Sequence, residues 1–163
     1  MLKLAGSGLI ILGASLCGFL KSSQLKKREE ELGKIISALT FLEKEIVYEK
    51  RDIKSAMLSV GKIAGCELFC EVARGMEKGV TKAMEHAVDM CGDSLLGTDK
   101  IALLSLGESL GMSDTLSQVK SISYTKEQLL MLQKLAHTDY EKFGKMYKSL
   151  GLLSGLAIVI LLI

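Results

Sequence analysis

The chain has 163 residues, 48% of them hydrophobic and 25% charged, a length that suits one domain and a composition too apolar for a disordered chain. Its 21 Lys and Arg against 19 Asp and Glu leave a net charge of +2, too balanced for a nucleic-acid-binding surface. With no Pro, no Trp and 5% aromatic residues, an all-β fold lacks both its turn formers and its sheet faces, and an all-α fold is expected.

The mean hydropathy of +0.31 is high, and its source lies at the two ends. All but one of the charged residues fall between Lys21 and Lys148. Leu4 to Leu20 is an uncharged run at the lower limit for a membrane-crossing helix, and 4–20 reads as a transmembrane segment with Lys3 and Lys21 snorkelling to the interfaces. Cleavage as a signal peptide is disfavoured: Leu16 stands where a lipoprotein-type Cys17 needs a small residue, and Lys21, Lys26, Lys27 and Arg28 follow as a cytoplasm-retaining cluster.

The soluble part, 22–148, then reads as consecutive helices. Leu25, Leu32, Ile35, Leu39, Leu42 and Ile46 trace a 3-4 stripe that predicts an amphipathic helix over 22–50, continuous with the first anchor. Asp52 is placed to cap a short helix to about Val60, which the 61–65 stretch with its two glycines should break. A helix over 66–78 follows, with Leu68, Phe69, Val72 and Met76 inward and Gly79 as its stop. Thr81 is expected to cap a helix to Cys91, and 92–97 to form a loop. The next helix should run from Thr98 to Met112, before Ser113 or Asp114 caps the last one. In that last helix Ile122, Leu129, Ala136, Phe143 and Leu150 recur every seven residues, a seam suited to antiparallel packing on 22–50.

At the other end, 149–163 reads as a second transmembrane segment. It is short, and local thinning or a partner helix would complete the crossing. Gly151 and Gly155 form a G-x-x-x-G, and Ala14 and Gly18 a matching small pair in the first anchor, the spacing that lets helix backbones approach in lipid. Basic residues flank the inner side of both anchors, since Lys142, Lys145 and Lys148 precede the second. The middle is therefore expected in the cytoplasm with both termini across the membrane. A reducing compartment makes a disulfide scaffold of Cys66, Cys70 and Cys91 unlikely to form.

Motifs that carry chemistry are sparse. Gly61-Lys62 and Gly144-Lys145 lack the upstream glycine and following hydroxyl of a phosphate-binding loop, and His86 and His137 stand far apart. Cys66 and Cys70 share a helix face and, with His86 and Cys91, are a conceivable zinc set; buried thiols acting as small hydrophobes explain them equally well. Glu43 and Glu45 diverge around a helix and suit ion pairing beside the seam better than acid–base catalysis. No cofactor, metal, catalytic residue, nucleic acid or small-molecule substrate is expected.

Several strings carry a family likeness. Met1-Leu2-Lys3-Leu4 precedes a glycine-rich anchor; Leu42-Glu43-Lys44-Glu45-Ile46-Val47-Tyr48 follows; then comes Leu106-Gly107-Glu108-Ser109-Leu110-Gly111-Met112-Ser113-Asp114 with Gln118-Val119-Lys120. On these the chain resembles the stage III sporulation protein AB family, membrane proteins of endospore-forming bacteria; Glu49-Lys50-Arg51 departs from the small or turn-forming residues expected there. The family is similar to the cytoplasmic domains of inner-membrane platform proteins in type II secretion and type IV pilus machines, and Gly79-Val80-Thr81-Lys82-Ala83-Met84 resembles a string of those domains.

What the resemblance implies is a non-enzymatic platform in the mother-cell membrane facing the forespore. It would dock a secretion-type ATPase like stage III sporulation protein AA and contact other stage III channel proteins. Residues expected at such contacts are Glu43, Glu45, Tyr48, Gly107, Ser109, Gly111, Asp114 and Gln118. The alternative is a membrane-anchored regulatory or sensory helical module binding a metal or small ligand near Cys66, Cys70 and His86.

Overall fold

A computed structural model describes residues 2–49, 52–112 and 114–162. Lys50 and Arg51, and the candidate cap Ser113, lie outside these. Among the described residues there are six α-helices and no strand: α1 (Leu2–Lys44), α2 (Ile53–Ala64), α3 (Glu67–Gly75), α4 (Val80–Cys91), α5 (Gly97–Met112) and α6 (Thr115–Leu162). The all-α expectation holds. α1 and α6, of 43 and 48 residues, each contain a stretch long and apolar enough to cross a membrane. Contacts divide the chain into two units, one made of the stretch up to Glu29 with the stretch from Lys134 onward, the other of Glu30–Gln133.

In the second unit each short helix packs on its chain neighbour, α2 on α3, α3 on α4 and α4 on α5. The predicted stripe of α1 is buried there at Leu32, Ile35, Leu39, Leu42 and Ile46, and α6 contributes Ile122 and Leu129. Phe69 on α3, fully buried like Met57, Val60 and Met84, is the largest enclosed side chain. Full burial of each such side chain is worth about 1.5–3 kcal/mol relative to exposure, which is why the stripe dictates the fold. α1 and α6 run antiparallel, with Lys126 Nζ 2.5 Å from Glu43 Oε2 and Gln133 against Gly33.

Several boundaries differ from the sequence reading. Gly61 lies inside α2 instead of breaking it: a Cβ there would sit 2.8 Å from Cys70 Sγ, so its bareness lets α2 and α3 meet. The helix ends at Gly65, whose φ of 62° is readily adopted only without a side chain, while Cys66 N–H donates back to the Gly61 carbonyl at 2.8 Å. Asp52 occupies the position before α2, but its side chain makes no cap bond. Thr81 lies inside α4, because Gly79 starts that helix. α5 begins at Gly97, one residue early, because buried Asp99 reaches back to accept the Leu96 N–H at 2.9 Å, the N3 half of a capping box. The 66–78 helix is α3 followed by a 3-10 turn, Met76–Lys78, and Gly79 at φ 98° stops it as expected.

In the other unit the heptad seam fails after Ala136. Phe143 is 40% exposed and Leu150 50%, whereas Gly144, Gly151 and Gly155 are buried. A straight α-helix drifts about 20° per heptad, and the contact face moves on by one residue, from Ala136 to Gly144, before continuing through Gly151 and Gly155. Gly18 and Ser22 are buried on α1. A Cβ on Gly18 would meet the Tyr147 carbonyl and lie 3.2 Å from Gly151 Cα; one on Gly155 would lie 3.0 Å from Ile11 Cα and 3.1 Å from Ala14 Cβ. Here helix backbones touch, while Leu9, Leu12, Leu153 and Ile160 face outward.

Candidate functional site

The end of α1 changes geometry. Glu45–Glu49 forms a π-helical turn, a wider coil that recurs at functional positions. Ile46 stays in the core, Val47 turns outward and Tyr48 is 81% exposed. The Ser59 hydroxyl on α2 donates to Glu45 Oε1 at 3.3 Å, fastening the half-buried carboxylate to the neighbouring helix. Glu43 is held by Lys126 across the antiparallel pair. Of the three, Tyr48 is the one that offers its side chain to the surroundings.

The Leu106–Gln118 string forms a helix–cap–helix corner. Gly107 is buried, and a Cβ on it would lie 2.7 Å from Met84 Cβ, so α4 and α5 approach through it. The Ser109 hydroxyl donates to the Leu106 carbonyl at 2.9 Å. Gln118 Nε2 donates to the Leu110 carbonyl at 3.3 Å, satisfying an end carbonyl of α5 from the first turns of α6. Gly111 belongs to the last turn of α5. Asp114 is exposed and immediately precedes α6. The Ser117 hydroxyl, with the Leu116 and Ser117 N–H groups, holds its carboxyl below the ordinary value, as expected of a charged cap at a helix N-terminus. The corner is thus built by Gly107, Ser109 and Gln118 and presents Asp114.

The cysteines are all free thiols. Burial pushes Cys66 up to about 12 and raises Cys70 and Cys91 in the same direction, which leaves little thiolate to act as a nucleophile. Among the described residues no group of three or more His, Cys, Asp and Glu side chains converges as a metal set, so Cys66, Cys70, His86 and Cys91 are not assembled into one. The π-helical turn leaves no mark on the residue pattern, because neither Glu45 nor Val47 breaks the helical periodicity around it.

The family profile described as "Stage III sporulation protein AB" matches residues 3–163. The chain belongs to that family. It is 30% identical over 170 residues to stage III sporulation protein AB of Bacillus subtilis (strain 168), across 99% of both chains. No solved structure matches it. The resemblance read from the Glu43–Tyr48 and Leu106–Asp114 strings is therefore confirmed, and a part in sporulation is supported; this is a family named for a stage of development, not for a reaction.

In the unit that carries the chain ends, polar contacts gather beside the apolar stretches. His137 Nδ1 lies 2.8 Å from Glu29 Oε1 and its Nε2 3.5 Å from Glu141 Oε1. The hydrogen bond to Glu29, then the charges of Glu29 and Glu141, raise the imidazole above its ordinary value. Nearby, Arg28, nearly buried, reaches Asp139 at 4.0 Å. Sequence reasoning missed this group because its members come from opposite ends of the chain.

Proposed function

We propose that the chain is a non-enzymatic platform subunit of a secretion-like channel complex between mother cell and forespore. Its terminal apolar segments hold it in the mother-cell membrane, residues 22–148 face the mother-cell cytoplasm, and the helical domain receives a secretion-type ATPase resembling stage III sporulation protein AA. Other stage III channel proteins are its neighbours in the membrane. Family membership and the basic residues on the inner flanks of both anchors support this reading.

The observation that carries it is the exposure of Tyr48 on an irregular helix end. A tyrosine supplies large contact area and a hydrogen bond at small entropic cost, and such residues dominate binding energy at protein interfaces. Asp114 adds a charge that does not contribute to the core. The test is co-purification of the ATPase with the full-length protein from detergent extracts of sporulating cells. Tyr48→Ala and Asp114→Lys should each reduce recovery of the ATPase at least about tenfold, the loss of about 1.4 kcal/mol, while the protein accumulates normally in the membrane. Normal recovery with both variants would sink the proposal.

A further inference from the structure

The unit bearing the chain ends carries a band of lysines that have no carboxylate partner among the described residues. Lys21 and Lys27 on α1 and Lys142, Lys145 and Lys148 on α6 are all exposed. Ser22 lies against Gly144, and Gly18 against Gly151, so the antiparallel register brings the two lysine runs level. Each run covers seven residues, about 9 Å along a helix axis at 1.5 Å per residue. The nearby acids are already engaged, Asp139 by Arg28 and both Glu29 and Glu141 by His137. Among the described residues no carboxylate lies within ion-pair distance of these five lysines.

A second feature marks the same level. Four of the eight aromatic residues of the chain, Phe19, Tyr140, Phe143 and Tyr147, fall within it, far more than an even spread would give. Phe19 and Phe143 are exposed, and Lys148 Nζ stands 5.4 Å over the Phe19 ring, a cation–π geometry. Aromatic rings beside cationic groups, next to an apolar helix stretch, match the depth at which hydrocarbon gives way to headgroups. This accounts for the exposure of Phe143, which a seam against α1 does not.

We propose that this lysine band is a binding surface for anionic phospholipid headgroups, which it selects over zwitterionic ones in the boundary layer around the hairpin. The chemistry is that of a phosphodiester anion without a compensating cation: in a zwitterionic headgroup the choline or ethanolamine nitrogen competes with the lysines, and in an anionic one it does not. Juxtamembrane lysines near a charged leaflet act in this way generally. The inference rests on the membrane anchoring proposed above.

The absence of tryptophan makes the test direct. Full-length protein carrying Phe143→Trp is reconstituted into phosphatidylcholine vesicles with a minority of phosphatidylglycerol, and either lipid is brominated near the top of its acyl chains. Brominated phosphatidylglycerol should quench the tryptophan at least about threefold more strongly per mole than brominated phosphatidylcholine. Added Lys142→Gln, Lys145→Gln and Lys148→Gln should bring the two lipids to parity while total quenching persists. Equal quenching in the parent, or a preference that survives the three substitutions, overturns the proposal. Loss of the preference in inorganic phosphate, but not in chloride at matched ionic strength, would assign the lysines to a free anion and overturn it too. Quenching by neither lipid would overturn the anchoring itself.

Discussion

Where α1 and α6 carry the chain ends they bury Gly18, Ser22, Gly144, Gly151 and Gly155; within 30–133 the same two helices bury Leu32, Ile35, Leu39, Leu42, Ile122 and Leu129. The first set removes almost no apolar side chain from its surroundings and gains by bringing backbones together. The second gains by taking large side chains out of water. In hydrocarbon there is no hydrophobic drive between helices, and close packing of small residues is what remains to join them; in water the transfer term dominates. On the anchoring proposed above, Gly18, Gly151 and Gly155 are what two helices bury in lipid, and the large side chains of 30–133 what they bury in water.

The strongest way to break the comparison is to truncate the water-built core. Leu39→Ala should cost about 2–5 kcal/mol, read by denaturant unfolding of the full-length protein in detergent with helicity as signal. A loss below the lower figure would mean that the stripe is not the main source of stability. Enlarging a small residue tests the opposite half. Gly151→Leu forces a side chain toward the Ala14 carbonyl, 2.7 Å from the first added carbon, and the Gly18 backbone, and overpacking of this kind costs about 1–3 kcal/mol. Crosslinking between cysteines introduced at Ile11 and Leu156 should fall while the helicity of 30–133 is kept; undiminished crosslinking would show that backbone contact is dispensable.

The smallest expected effect sharpens the contrast through pH. Because His137 is raised by Glu29 and Glu141 from 6.5, its pairing stabilises the folded state fully below about pH 6.5 and is lost as pH rises through the elevated value. The ring and both carboxylates are solvent-accessible, so the change is modest and salt-sensitive. A melting temperature that drifts downward from pH 6 to 9, and flattens in His137→Gln, is the expected result; identical profiles for parent and variant would remove the pair from the ledger of contacts.

How much of this was legible follows from how local each signal is. The α1 stripe and the stop at Gly79 depend on residues within a turn or two of each other, and the sequence reading placed them, while for the cap of α6 it offered Ser113 or Asp114. Gly61 was misread because a glycine that ends a helix and one that admits a neighbouring helix look alike until Cys70 is seen beside it. Phe143 was misread because the contact face moves on by one residue between Ala136 and Gly144, a shift that a strict sevenfold count does not follow. Glu43 and Glu45 offered two readings, and their partners Lys126 and Ser59 lie on other helices. Tyr48 stood in a recognisable string, but its outward turn depends on the π-helical coil around it.

Packing between chain neighbours also sets an order of assembly during synthesis. α2 through α5 find their contacts close by in the chain, and short-range contacts form fast because little loop entropy is spent closing them. Glu43 waits for Lys126, 83 residues later, and Glu29 waits for His137 across 108. Translation delivers the N-terminal apolar stretch first, then a set of helices able to fold as they emerge, and only at the end the helix that pairs with α1. A ribosome stalled before α6 would therefore hold a nascent chain with folded short helices and an α1 still lacking its antiparallel partner, the state in which chaperones or the insertion machinery have their opportunity to act.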